Sequence, residues 1–163
     1  MLSKWHRFRR LNRFERRVFA EALVALWLAS WALRWSGFHR CQSVLARIAT
    51  RKTVHTQAPS DALLEKARLM TMMVQRAARF AVCPTSCLSN SLVLWFLLNR
   101  EGIGSDLRVG VRKETSDLEA HAWVECLGHV LNDGPDVGER FAGFDRAFVP
   151  ARSVIRRRRP SLC

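Results

Sequence analysis

The sequence predicts an α+β domain in which helices come first and a small antiparallel sheet follows. Three observations carry this. Apolar residues recur at three- and four-residue spacing up to about residue 100, and the period switches to two after Gly102. Between them, one apolar helix opens on a cysteine, Cys87, and the strand segments downstream carry His121 and Asp133. Helices grouped ahead of strands belong to the segregated α+β class rather than to alternating βαβ units.

Taken in order, Leu11, Phe14, Val18 and Ala22 mark one face of a first helix. Asn12 with Glu15 three residues on has the spacing of a capping box. The run from Ala22 to Leu33 is apolar nearly all round, and Glu21 and Arg34 bracket it. Such a run is shorter than the roughly 20 residues a bilayer span needs, so it reads as a core or partner-facing helix. Membrane contact is the less favoured reading. Gly37 is the expected stop, and the polar stretch from Thr50 to Ser60 the expected linker. Ser60 or Asp61 then caps a helix with Leu64, Ala67, Met70, Met73 or Val74, and Ala77 on one face. Pro84 breaks the chain before the helix from Cys87 to about Arg100, where Gly102 suits a left-handed cap. Leu107–Arg112 alternates as a half-buried strand. Ala120–Cys126 reads as a second strand and Val130–Asp133 as a short third, joined by a tight turn at Leu127-Gly128-His129.

The net charge of +13 is concentrated at the ends of the 163-residue chain. Residues 1–52 hold twelve Lys/Arg against Glu15 and Glu21 alone, and the last thirteen residues hold five arginines and no acid. Residues 53–150, with ten basic and twelve acidic side chains, are nearly neutral. A central fold that reads nucleic acid would carry the basic patch itself, so nucleic acid is not an expected partner. The chain divides into a basic helical region, 1–52, and a core with a basic tail, 53–163. Its five cysteines have no regular framework spacing, which favours free thiols in the cytoplasm.

A thiol attacks as thiolate, and a helix N-terminus with an imidazole nearby favours that form. Cys87 in the first turn supplies the thiol. A hairpin turning at Gly128 sets His121 opposite Asp133, whose carboxylate would fix the imidazole tautomer. The Cys87 amide, with Ser86 or Thr85, is the candidate site for an oxyanion; Trp123 is a further substrate-side candidate. Each residue also has a plainer reading: Cys87 as a small buried hydrophobe, His121 as a core histidine, Asp133 as a turn residue. Zinc could draw on Cys83, Cys87, His121, Cys126 and His129, but no second tight ligand pair accompanies the Cys-x3-Cys spacing, so no metal or other cofactor is expected.

The segments Cys87-Leu88-x-x-Ser91-Leu92-x-Leu94-x-x-Leu97-Leu98-x-Arg100-x-Gly102-Ile103, Leu107–Lys113, Ala120–Glu125 with Gly128, and Asn132-Asp133 together resemble the leader peptidases of lasso-peptide biosynthesis. These are transglutaminase-like cysteine proteases, and the likeness spans about residues 60–148. It implies a papain-like core with the nucleophile helix packed on a small sheet. It also implies Cys87 as nucleophile, His121 as general base and acid, and Asp133 as the orienting carboxylate. The substrate it implies is a ribosomally made precursor, brought by a separate leader-binding protein and passed to an asparagine-synthetase-like ligase that closes the ring. Asn90 stands where the family often carries arginine. Residues 1–52 show no strand pattern for a leader-binding unit, so the chain reads as a stand-alone protease half. A non-catalytic precursor-binding module would share this fold. A basic surface protein using Trp5, Phe8 and Phe14 among arginines is the remaining competitor.

Overall fold

A computed structural model describes residues 12–49, 61–81, 84–114 and 117–143. Helix α1 (Arg13–Ala49) starts at the expected capping box. The Asn12 Oδ1 accepts from the Glu15 amide at 2.8 Å, and the Asn12 amide donates back to Glu15 at 2.7 Å. The helix does not stop at Gly37. A mid-helix glycine costs only about 1 kcal/mol relative to alanine, and no proline follows to end the turn. The apolar run is divided between two environments rather than enclosed. Val18, Phe19, Ala22, Leu26 and Ala29 are buried, whereas Val24, Trp27, Leu28, Trp31 and Trp35 are exposed. By length and composition alone the segment Arg13–Trp35 is long and apolar enough to cross a membrane.

Helix α2 (Asp61–Phe80) buries Ala67, Met70, Thr71, Met73, Val74 and Ala77, the face its periodicity defines. Helix α3 (Cys87–Arg100) is buried on nearly every side because it lies between α1 and α2 on one flank and the sheet on the other. It ends in a Schellman motif. The Ile103 amide reaches the Leu98 carbonyl at 2.9 Å and the Gly102 amide the Asn99 carbonyl at 3.1 Å, with Gly102 at φ 77°. Leu98 and Ile103, which meet across that motif, are both buried. The boundary expected at residues 52/53 lies outside the described residues, and α1 ahead of it shares one apolar core with α2 and α3 behind it.

Two carboxylates lock the three helices at one end. Glu101, at the C-terminus of α3, takes Lys66 of α2 at 3.1 Å and also pairs with Arg17 of α1. Arg100 of α3 returns to Glu21 of α1. Burial pushes the Glu101 carboxyl up, but Lys66, Arg17 and Arg100 outweigh it and hold it below its ordinary value.

The sheet has the order β3-β2-β1-β4, all antiparallel, with β1 (Asp106–Glu114), β2 (Asp117–Cys126), β3 (His129–Val130) and β4 (Ala142–Gly143). The β2–β3 turn uses Leu127 at φ 52° and Gly128 at φ 78°, the paired left-handed residues of a tight hairpin. Alternation along β2 splits its side chains. Val124 and Cys126 enter the helical core, whereas Trp123 packs on the opposite face with Val137 and Phe141. Two elements had no sequence expectation: a single turn, α4 (Val137–Arg140), and the β4 pair. Both belong to the segment that covers that second face.

Candidate active site

Cys87 is the first residue of α3 and is partly exposed. Ser86 caps the helix. Its Oγ accepts from the Ser89 amide at 3.2 Å, and its own amide donates to the Ser89 Oγ at 2.9 Å. This reciprocal box fixes the backbone on both sides of Cys87. Thr85 precedes it, partly buried. Cys83 lies outside the described residues.

The expected third strand is shorter than the sequence suggested. Pairing in register about Leu127-Gly128 links Glu125 with Val130 and Cys126 with His129, and after one further backbone bond, from the Leu131 amide to the Val124 carbonyl at 3.0 Å, the ladder ends. Continued, that register would have set His121 against Gly134 rather than Asp133. Instead the chain leaves the sheet in a bend at residues 131–133. The Val124 amide still takes no backbone carbonyl from the departing strand; it donates to the Asn132 side-chain oxygen at 2.8 Å.

That side chain ties the site together. Asn132 Nδ2 donates to the Ser91 Oγ at 2.8 Å, and the Ser91 hydroxyl donates to the Ala122 carbonyl at 2.7 Å. Ser91 is fully buried and lies four residues, about 6 Å of helix rise, beyond Cys87. The i,i+4 relation puts both on one side of α3. One hydroxyl thus fastens α3 to Ala122, the residue after His121, and to Asn132, the residue before Asp133. The Cys-x3-Ser spacing was the available signal for it.

Asp133 meets His121 across the bend, with the His121 Nε2 hydrogen-bonded to the Asp133 Oδ2. Nδ1 has no hydrogen-bond partner among the described residues. The second carboxylate oxygen, Oδ1, accepts from the Gly134 amide at 2.6 Å and from the Arg140 guanidinium at 2.7 Å. Burial pushes the Asp133 carboxyl up, yet the Gly134 amide, Arg140 and His121 together hold it below its ordinary value. Arg140 is itself held by Asp136 at 2.8 Å. The imidazole stacks on Phe141 with centroids 4.9 Å apart and lies 6.3 Å from Trp123. Trp123 is buried, and its indole N–H is committed to Glu125 at 2.9 Å. Glu125 in turn pairs with Arg108 at 3.1 Å.

The geometry therefore couples a histidine to an ionised carboxylate and holds its ring by stacking, one nitrogen left over, on the strand whose other face packs on α3, the helix that opens on a partly exposed thiol. This suits acyl transfer by a nucleophile–base–orienter set. Residues 23–144 match the transglutaminase-like superfamily. The chain belongs to that superfamily. It is also similar to the microcin J25-processing protein McjB of Escherichia coli, with 36% identity over 58 residues, which is 36% of this chain. The matched stretch spans 27% of that protein's length, so the likeness is partial. No solved structure matches the chain. Helices here accompany a small antiparallel sheet, the α+β class expected from the sequence.

The second thiol contrasts with the first. Cys126 is buried on the core side of β2, and burial with the nearby Asp106 pushes its thiol up, which keeps it protonated and inert. Among the described residues no three His, Cys, Asp or Glu side chains converge as a metal site. Ser91 and Asn132 stood in the matched segments without a role, and Arg140 and Phe141 are the residues around His121 and Asp133 that sequence reasoning did not single out.

Proposed function

We propose that this chain is a cysteine endopeptidase that removes the leader from a ribosomally made lasso-peptide precursor. The observation that supports the reading is the Ser91–Asn132 link, which ties the helix headed by Cys87 to the residues next to His121 and Asp133 in the chain. The processing role named for the similar E. coli protein and the likeness to lasso leader peptidases support the same substrate class.

In this mechanism the Cys87 sulfur attacks the carbonyl carbon of the last leader residue, with the thiol proton passing to His121. The oxyanion is met by the Cys87 amide, with Ser86 and Thr85 at the mouth of the helix. As the peptide C–N bond breaks, His121 returns the proton to the core peptide's new amine, and the leader remains as a thioester. Water, deprotonated by His121, then hydrolyses the thioester and regenerates the thiol. Asp133 orients the imidazole and stabilises its positive form. A separate leader-binding protein delivers the precursor, an asparagine-synthetase-like ligase closes the ring on the released core, and the reaction runs in the cytoplasm.

The test is mass spectrometry of precursor incubated with purified protein and leader-binding partner. Wild type is expected to release the leader, and Cys87→Ala, a small truncation that leaves packing nearly intact, is expected to leave the precursor whole. Normal cleavage by Cys87→Ala would end the nucleophile assignment.

A further inference from the structure

A cavity of about 530 Å³ opens between the exposed half of α1 and the start of α3. Trp31, Arg34 and Trp35 form the α1 wall, and Pro84, Ser86 and Ser89 form the wall at the head of α3. The two indoles lie 5.3 Å apart, tilted by 31°, so they make one continuous aromatic wall. Arg34 is exposed and pairs with no carboxylate among the described residues. The capping box of Ser86 and Ser89 makes the opposite wall rigid.

The place of this cavity relative to Cys87 decides what fills it. Ser86 and Ser89 lie about 100° and 160° around the helix from Cys87 in one sense and Ser91 about 40° in the other, so both serines are on the flank away from Ser91 and the sheet. Ser91 bonds α3 to the sheet at Ala122 and Asn132, so an extended peptide whose scissile carbonyl sits at the head of α3 has the strand that carries His121 on one side and this cavity on the other. Crossing a helix about 10 Å wide at about 3.3 Å per residue takes about three residues. The geometry points to a substrate subsite here. It takes a bulky apolar or aromatic side chain about three residues from the cleaved bond, with Arg34 favouring an acidic neighbour. The subsite rests on the endopeptidase reading and makes α1 a specificity element rather than an appendage. Indoles supply large apolar area at small entropy cost, which suits reading one side chain of a flexible peptide.

The probe is a positional-scanning library of short N-acetylated, C-amidated peptides, bound to full-length Cys87→Ala protein so that binding is read without turnover. Retained peptides are expected to be enriched in Trp, Phe or Leu at one position with Asp or Glu beside it. Adding Trp31→Ala or Trp35→Ala should weaken binding about tenfold and flatten the apolar preference. Trp31→Phe should keep it, and Arg34→Gln should remove the acidic preference alone. Trp27→Ala, exposed on the same helix outside the cavity, should bind as the parent does. No enrichment, an unchanged profile in the Trp31 and Trp35 variants, or an equal loss in Trp27→Ala would overturn the subsite. The underlying reading fails differently. Selective binding with no cleavage by the wild-type protein would sink the peptidase and leave a peptide groove. Cleavage with the same preference in every Trp variant would sink the subsite and leave the peptidase.

Discussion

Asn132→Ala removes two hydrogen bonds at the point where β3 leaves the sheet. The Val124 amide, in a residue with no exposed surface, loses its acceptor, and Ser91 loses the donor that Asn132 Nδ2 supplies. A buried donor left unsatisfied costs about 1–3 kcal/mol, and the second neutral bond contributes about 0.5–1.5 kcal/mol. The expected destabilisation is about 2–4 kcal/mol, which in a chain of this size lowers the melting midpoint by about 4–16 °C. Thermal unfolding followed by circular dichroism reads the first quantity. Cleavage kinetics on the still-folded fraction reads the second, because Asp133 is the next residue and Ser91 holds the Cys87 helix. Turnover should fall more than substrate affinity. Asn132→Asp separates the two bonds: it keeps an acceptor for the Val124 amide but cannot donate to Ser91, whose own proton is committed to Ala122. An Asn132→Ala protein that melts with the wild type would refute the reasoning. The Val124 amide would then have another acceptor and the helix-to-sheet link would not matter.

Arg140→Gln removes one of the groups that hold the Asp133 carboxyl low. A depressed carboxyl stabilises the native state fully above its unfolded value of about 3.9 and loses that contribution as the pH falls through the lower native value. The variant's native value should therefore rise, so acid loss of the His121 link begins at higher pH, as carbon-13 titration of the Asp133 carboxyl would report; an unmoved titration would show that Arg140 does not set it. Gly110→Ala builds a Cβ 3.0 Å from Phe141 and the Trp123 ring, opposite His121 in the β1–β2 register. Overpacking of that kind costs about 1–3 kcal/mol and should push Phe141 off the imidazole, lowering both melting temperature and turnover. A stable, fully active Gly110→Ala protein would show that the stack is dispensable.

Much of the fold could be read from local chemistry. The α2 face, the Asn12–Glu15 box, the Gly102 terminator and the Leu127-Gly128 turn are each written in a few neighbouring residues. Gly37 misled because a lone glycine weakens a helix without breaking it, and tertiary packing of α1 upstream overrides the signal. The extent of β3 was unreadable because a side chain, Asn132, takes over where a backbone partner was expected. The contact between His121 and Asp133 was legible from order and type, although a bend rather than strand pairing makes it. Arg140 and Phe141 left no trace. They reach the site only because the segment after Asp133 folds back over the outer face of the sheet. The apolar character of residues 22–33 was plain, but which face stays exposed depends on where α2 and α3 dock.

The proposed endopeptidase mechanism requires the leader to pass through a thioester on Cys87. Acid quench of the protein within its first turnover on partner-bound precursor, followed by intact-protein and peptide mass spectrometry, reads it directly. The expected species is the protein joined to the leader with loss of water, the adduct mapping to the peptide that contains Cys87, and it should be absent from Cys87→Ala. Leader release by the wild type that proceeds with no such adduct, and persists in Cys87→Ala, would contradict the account.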